Sequence, residues 1–243
     1  MPLPQYPLSL KSQSFISQRT LQLNFELVQP TPTDFTFVAG QFVQLQIPSK
    51  EGIKKRSYSI ANSPASFRET DQLEIAISLV EKGLASEFFE HAEAESTVNM
   101  SGPFGALTLP DTISGQLVLV STGTGIAPYR SMLPHLGKLI SEGVAITIIS
   151  GARHRDEQLY LKDFSEYHSI RMISCLSREA TLHSDEQAGY VQQQFSQLDL
   201  NPAKDIVYLC GNPFMIDDSV RALTELGLPA RHIKREKYVY SGH

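Results

Sequence analysis

Arg56, Ser57, Tyr58 and Ser59 place a cation, an aromatic ring and two hydroxyls within four residues. On an extended chain, alternate side chains share a face, so Arg56 and Tyr58 point one way and Ser57 the other. A guanidinium fork matches two phosphate oxygens. A Tyr ring stacks on a flat heterocycle, and a hydroxyl donates to a ring nitrogen. Together these groups suit a flavin dinucleotide. The same tetrapeptide also reads as a surface strand with its Tyr facing a core.

Other residues could complete that site or hold a second nucleotide. Gly83, Leu84, Ala85 and Ser86 read as a helix start, where unpaired backbone N–H groups favour a diphosphate; an ordinary strand-to-helix turn would need Gly83 as well. Thr122, Gly123, Thr124 and Gly125 follow an apolar strand and lead into Pro128, with glycines that admit a dinucleotide close to the backbone. Ser177 and Arg178 follow a later strand and suit a ribose 2′-phosphate, or form a solvated loop. Arg153 and Arg155 are further phosphate candidates, and Tyr190 could stack on adenine. Cys210 and Gly211 end another strand. There the thiol is either a low-pKa nucleophile or a packing residue beside a nicotinamide ring. Gly102-Pro103-Phe104-Gly105 is a tight turn or a ligand-approach loop.

These segments need elements to position them, and the sequence changes grammar midway. Residues 1–110 carry period-two runs: Lys11–Thr20, Leu21–Gln29, Phe35–Phe37, Gly40–Ile47, Leu73–Val80, Thr97–Met100 and Ala106–Leu109. One helix, Leu84–Ala94, interrupts them. Short strands at such spacing predict a closed or nearly closed antiparallel barrel. Thr108–Gly115 reads as a linker. Residues 111–243 then alternate apolar strands (Gln116–Ser121, Val144–Ser150, Ile170–Leu176, Ile206–Cys210, Ile233–Val239) with helices (Ala127–Glu142, Asp156–Tyr167, Gly189–Leu198, Phe214–Leu226). That pattern predicts a parallel α/β sheet covered on both faces, and if its strand order is 3-2-1-4-5, Cys175 and Cys210 are not neighbours. Pro134 should interrupt the first of these helices.

The chain has 243 residues and a net charge of −5, which gives nucleic acid no electrostatic footing. No apolar run is long enough for a bilayer, and the first residues lack a signal-peptide pattern, so the expectation is a cytoplasmic protein. Two cysteines make neither a disulfide framework nor an iron–sulfur site, and seven scattered histidines show no metal spacing.

In chain order, RSYS, GLAS, GPFG, GTGIAP, SRE and CGNPFMI resemble the motif series of the ferredoxin–NADP reductase family across roughly residues 15–240. The resemblance implies a Greek-key FAD-binding barrel followed by an NADP-binding α/β domain. It implies that Arg56 and Gly83 to Ser86 meet the FAD diphosphate, that Tyr58 stacks on the flavin and that Ser59 approaches its N5. Thr124, Gly125, Ser177, Arg178 and Tyr190 would hold NADP, with Cys210 at the site of hydride transfer. Glu236 would be the acidic residue near the nicotinamide. Tyr238 or Tyr240 would cover the flavin, because the chain continues past the ring on which plant-type members end.

The activity so implied is hydride transfer between NADP(H) and FAD, and single-electron exchange with ferredoxin or flavodoxin. Lys54, Lys55, Lys234, Arg235 and Lys237 would form a basic rim for such acidic partners, or a merely solvated cluster. A flavin reductase, an oxygenase reductase component and a non-catalytic redox sensor are the competing readings.

Overall fold

The computed structural model describes residues 4–28 and 35–238, and the sequence expectations about Val239 and Tyr240 lie outside them. The fold consists of two units. The first takes the described residues up to Thr108 together with Ala127–Met132; the second takes Leu109–Ile126 and the described residues from Leu133 onward.

Among the described residues, six antiparallel strands make the first unit: β1 (Tyr6–Ser17), β2 (Thr20–Leu27), β3 (Phe42–Ser49), β4 (Gly52–Ser59), β5 (Gln72–Ser78) and β6 (Thr97–Phe104). Their order is β4-β3-β6-β1-β2-β5. β6 slots between β3 and β1, so neighbours in the sheet are not neighbours in sequence, as in a Greek key. The ends of the sheet meet at an Ile60–Ile75 bridge, with the Ala61 amide donating to the Glu74 carbonyl at 2.8 Å. The barrel therefore closes through a short seam rather than a full ladder. Period-two patterning sends Leu21, Leu23 and Phe25 of β2 and Val43, Leu45 and Ile47 of β3 into the core, each at most 3% exposed.

Several expected elements differ. Among the described residues, two helices, not one, interrupt the strands: α1 (Pro64–Thr70) and α2 (Leu84–Glu90). The Ser63 hydroxyl caps α1 by accepting from the Ser66 amide at 3.1 Å, and Pro64 occupies its first turn. Phe35–Phe37 is not a strand. Its two rings are buried against Phe67 of α1, each 5.6 Å from it between centroids. Ala106–Leu109 is not a strand either. The Leu107 carbonyl lies where a Cβ on Gly40 would stand, 2.1 Å away, and Gly40 has φ +97. α2 stops at Glu90 instead of Ala94, because the chain turns back to pair the Glu95 amide with the Leu10 carbonyl at 2.7 Å.

In the second unit all strands are parallel: β7 (Leu117–Thr122), β8 (Ile146–Ala152), β9 (Ile170–Leu176), β10 (Glu186–Ala188), β11 (Ile206–Gly211) and β12 (Ile233–Lys237), in the order β10-β9-β8-β7-β11-β12. Without β10, whose three residues include no apolar side chain larger than an alanine and which is invisible to apolar patterning, the order is 3-2-1-4-5, in which Cys175 and Cys210 are not on neighbouring strands. Val118, Val120, Ile149, Val207 and Leu209 pack one face against Phe195 and against Ile216 of α6 (Pro213–Glu225).

The predicted helix 127–142 is a 3-10 turn (Gly123–Ile126), then α3 (Ala127–Ser131) and α4 (Leu133–Ser141), broken at Met132 just before Pro134. The predicted helix 156–167 shrinks to α5 (Leu161–Ser165), because Tyr160 takes a left-handed φ of +57. The predicted helix 189–198 is a 3-10 helix, Val191–Gln197. No helix among the described residues is long and apolar enough to cross a membrane.

Candidate functional site

In the first unit, β4 presents Arg56 and Tyr58 on its half-buried face, while Lys55 and Ser57 are exposed. Tyr58 packs against the barrel core. Burial pushes its phenol up, and Arg56 offsets this only in part, so the ring stays neutral. The Arg56 guanidinium donates to the Lys55 carbonyl at 2.9 Å and makes no ion pair with any described residue. Ser59 is buried at the end of β4 opposite Phe42. The Ser57 hydroxyl accepts from Gln44 at 3.4 Å.

α2 packs on β3, the strand paired with β4. Its first turn has no side-chain cap, so the Leu84, Ala85 and Ser86 amides keep their donors for an outside acceptor. Gly83 is fixed by packing, since a Cβ there would stand 2.9 Å from the Val80 carbonyl. The Ser86 hydroxyl accepts from the Val80 amide at 2.8 Å and locks that turn. A cation without an acid partner, a neutral ring on the same face and an uncapped helix start suit a dinucleotide with a flat ring. Gly102 is explained by packing alone, with Val43 and the Phe42 carbonyl 3.2–3.3 Å from a would-be Cβ.

The second unit carries two separate clusters. The first is made of backbone, at the ends of β7, β11 and β12. A Cβ on Gly125 would stand 2.3 Å from the Cys210 carbonyl, and one on Gly211 (φ +125) 2.6 Å from the Thr122 carbonyl. Thr122 accepts from the Asn212 amide at 3.1 Å, and Gly123 takes φ +54. Tyr238 folds onto this cluster: its amide donates to the Gly211 carbonyl at 2.9 Å and its phenol to the Thr124 carbonyl at 3.2 Å. Ser121, Cys210 and Glu236 stand side by side on adjacent strands. Cys210 is fully buried. Burial and the Glu236 charge push its thiol up against a smaller opposing hydrogen bond to Tyr238. Sealed from solvent, with its thiol pushed up, Cys210 does not fit the low-pKa nucleophile reading, which leaves the packing reading. Burial raises Glu236 to about 7.

The other cluster is made of side chains, at the ends of β8 and β9. The Ser177 amide donates to the Ala152 carbonyl at 3.0 Å, and the Arg178 amide to the Arg153 carbonyl at 2.9 Å. Arg153 and Arg178 are exposed, and neither makes an ion pair with a described residue. Arg155 is different and is withdrawn as a phosphate contact. Its Nε and NH2 grip the Glu186 carboxylate at 2.5 and 2.6 Å. Glu186 and its partnership went unnoticed in the sequence, since nothing local marks it. Tyr190 is 62% exposed, with its ring available for stacking. Of the expected basic rim, Lys54 pairs with Glu51 and Lys237 with Asp217, while Lys55, Lys234 and Arg235 pair with no described acid.

Residues 7–109 match the oxidoreductase FAD-binding domain family and residues 119–221 the oxidoreductase NAD-binding domain family. The chain is 32% identical to ferredoxin–NADP reductase B of Sorangium cellulosum, over 84% of this chain and 86% of that protein. It is 30% identical to the reductase component DmpP of phenol 2-monooxygenase from Pseudomonas sp. strain CF600, over 89% of this chain but only 60% of that one. A ferredoxin NADP+ reductase from Neisseria gonorrhoeae, solved with FAD and NADP, shares the fold at a TM-score of 0.80 and 20% identity, over 98% of this chain and all of that one. With an FAD-binding and a nicotinamide-nucleotide-binding part in the order its motifs imply, the chain is a flavoprotein oxidoreductase and belongs to the ferredoxin–NADP reductase family.

Proposed function

We propose that the chain prefers NADP(H) over NAD(H) and exchanges electrons with ferredoxin or flavodoxin. The observation that carries this is the relative named ferredoxin–NADP reductase, aligned over 86% of its length. In this reading residues 1–110 hold FAD and residues 111–243 hold NADP(H). Arg56 and the Gly83 to Ser86 turn take the FAD diphosphate, Tyr58 lies against the ring and Ser59 reaches its N5. Thr122 to Gly125 and Gly211 approach the NADP diphosphate and nicotinamide. Ser177 and Arg178 read the 2′-phosphate and Tyr190 stacks on the adenine.

Bound FAD supplies the exchange between two-electron and one-electron chemistry. The chain's own residues orient and enclose. Cys210 gives the nicotinamide a neutral, dry wall. Glu236 sets the charge beside it, and Tyr238 occupies the groove until it yields its bond to the Thr124 carbonyl. Lys55, Lys234 and Arg235 offer unpaired positive charge for steering an acidic partner. The same reading places the enzyme in the cytoplasm, consistent with two buried, unbridged cysteines.

Relatives that serve phenol, toluate and propane oxygenases favour a second reading, a reductase component of an oxygenase. The test is anaerobic titration of the yellow protein with NADPH, then turnover ranked across ferredoxin, flavodoxin and free FMN. Bleaching with ferredoxin or flavodoxin ranked first is the expected result. Free FMN ranked first would make the chain a flavin reductase, and no bleaching would end the catalytic reading.

A further inference from the structure

Nine residues, 177–185, separate β9 from β10 and carry Ser177 and Arg178. Such a loop has no ladder of its own to hold it. What holds it here is Arg155, from the neighbouring loop after β8. Its amide donates to the Glu179 carboxylate at 2.9 Å, its NH2 donates to the Thr181 carbonyl at 2.8 Å, and its Nε and NH2 grip Glu186. Glu186 in turn accepts from the His183 amide at 2.8 Å, and its side chain is only 7% exposed. The guanidinium thus ties the loop at two points, Thr181 and the Glu186 that ends it, which its fixed fork of donors permits and an ammonium would not, and the Arg155 backbone amide adds a third at Glu179. Its Nε and Nη2 donors are committed to Glu186 and Thr181, whereas the guanidinium groups of Arg153 and Arg178, which are joined through the backbone, pair with no described acid.

We propose that Arg155 and Glu186 are positioning residues for 2′-phosphate recognition: the pair pins the loop so that Arg153 and Arg178 together meet the phosphate. This rests on the reading of Arg178 given above. The pin has a consequence that runs against simple charge counting. Neutralising Glu186 removes a negative charge from the neighbourhood of an anionic ligand and frees Arg155, so Glu186→Gln would tighten phosphate binding if Arg155 were a ligand held in reserve. If Arg155 is a pin, the same change loosens it.

The experiment is calorimetric titration of the FAD-loaded protein with adenosine 2′,5′-bisphosphate and with 5′-AMP. Wild type, Glu186→Gln, Arg155→Lys and Arg178→Ala are compared at 0.15 M salt, with thermal unfolding run on each. We expect Glu186→Gln and Arg155→Lys each to weaken the bisphosphate about tenfold, as befits the loss of a charge-assisted bond, and to leave 5′-AMP within about twofold. Tighter or unchanged bisphosphate binding in Glu186→Gln overturns the proposal. So does an equal loss of both ligands, which would mean general disruption. If Arg178→Ala leaves the bisphosphate preference intact, the underlying reading of the phosphate site falls. If Arg178→Ala abolishes the preference while the other two variants keep it, that reading stands and only the pin falls.

Discussion

The two clusters of the second unit are built by opposite means. At the ends of β7 and β11 the chain uses backbone: Gly125 and Gly211 let two strand ends touch, and the space is already filled to van der Waals contact. At the ends of β8 and β9 it uses side chains, with exposed arginines backed by a Glu186–Arg155 tie. A backbone-built cluster tolerates no added atom, so its failures should be abrupt and indifferent to salt. A side-chain-built cluster should fail by degrees and respond to charge and screening.

The largest expected effect tests the first half of that contrast. Gly125→Ala places a Cβ 2.3 Å from the Cys210 carbonyl and must push the loop off β11. Displacement of about 1 Å costs roughly a hundredfold in rate. Reduction of the bound flavin by NADPH should therefore fall at least that far, while the flavin absorbance of the purified protein stays. A variant that keeps its rate would show that the glycine contact is slack.

The next effect concerns Glu236, whose carboxyl is raised by burial from the ordinary 4.5 to about 7. The unfolded carboxyl ionises through 4.5 while the folded one keeps its proton to about 7. Stability from this group is therefore lost as pH rises across that window and is level above it. Relative to wild type, Glu236→Gln should gain up to about 3 kcal/mol between those limits. Parallel denaturation curves for the two proteins at pH 4.5 and 7.5 would remove the burial argument.

The smallest effect belongs to the side-chain cluster. Arg178→Ala should raise the KM for NADPH roughly 10- to 100-fold, as loss of a charge-assisted bond does, and the KM for NADH far less. The gap should narrow as salt is raised. Equal changes for both nucleotides at all salt concentrations would erase the distinction between the clusters.

The fold was largely legible, because burial on both faces of a parallel sheet leaves unbroken apolar runs such as Leu117–Val120, and a barrel strand leaves alternation such as that of β3. What escaped was short or polar. β10 has no apolar residue but an alanine, and α1 is only seven residues long, with Phe67 its one buried side chain. Phe35 and Phe37 looked like one face of a strand because two alternate rings carry no sign of what they pack against.

The sequence by itself determined the two architectures and the motif series, since these depend on neighbours within a few residues. Only the tertiary structure decided which arginine is already spoken for and that Cys210 is sealed from solvent. It also decided why Gly125 must be glycine. Each of those facts is set by residues tens of positions away, and ion pairing, burial and steric contact act through space with no trace in local spacing.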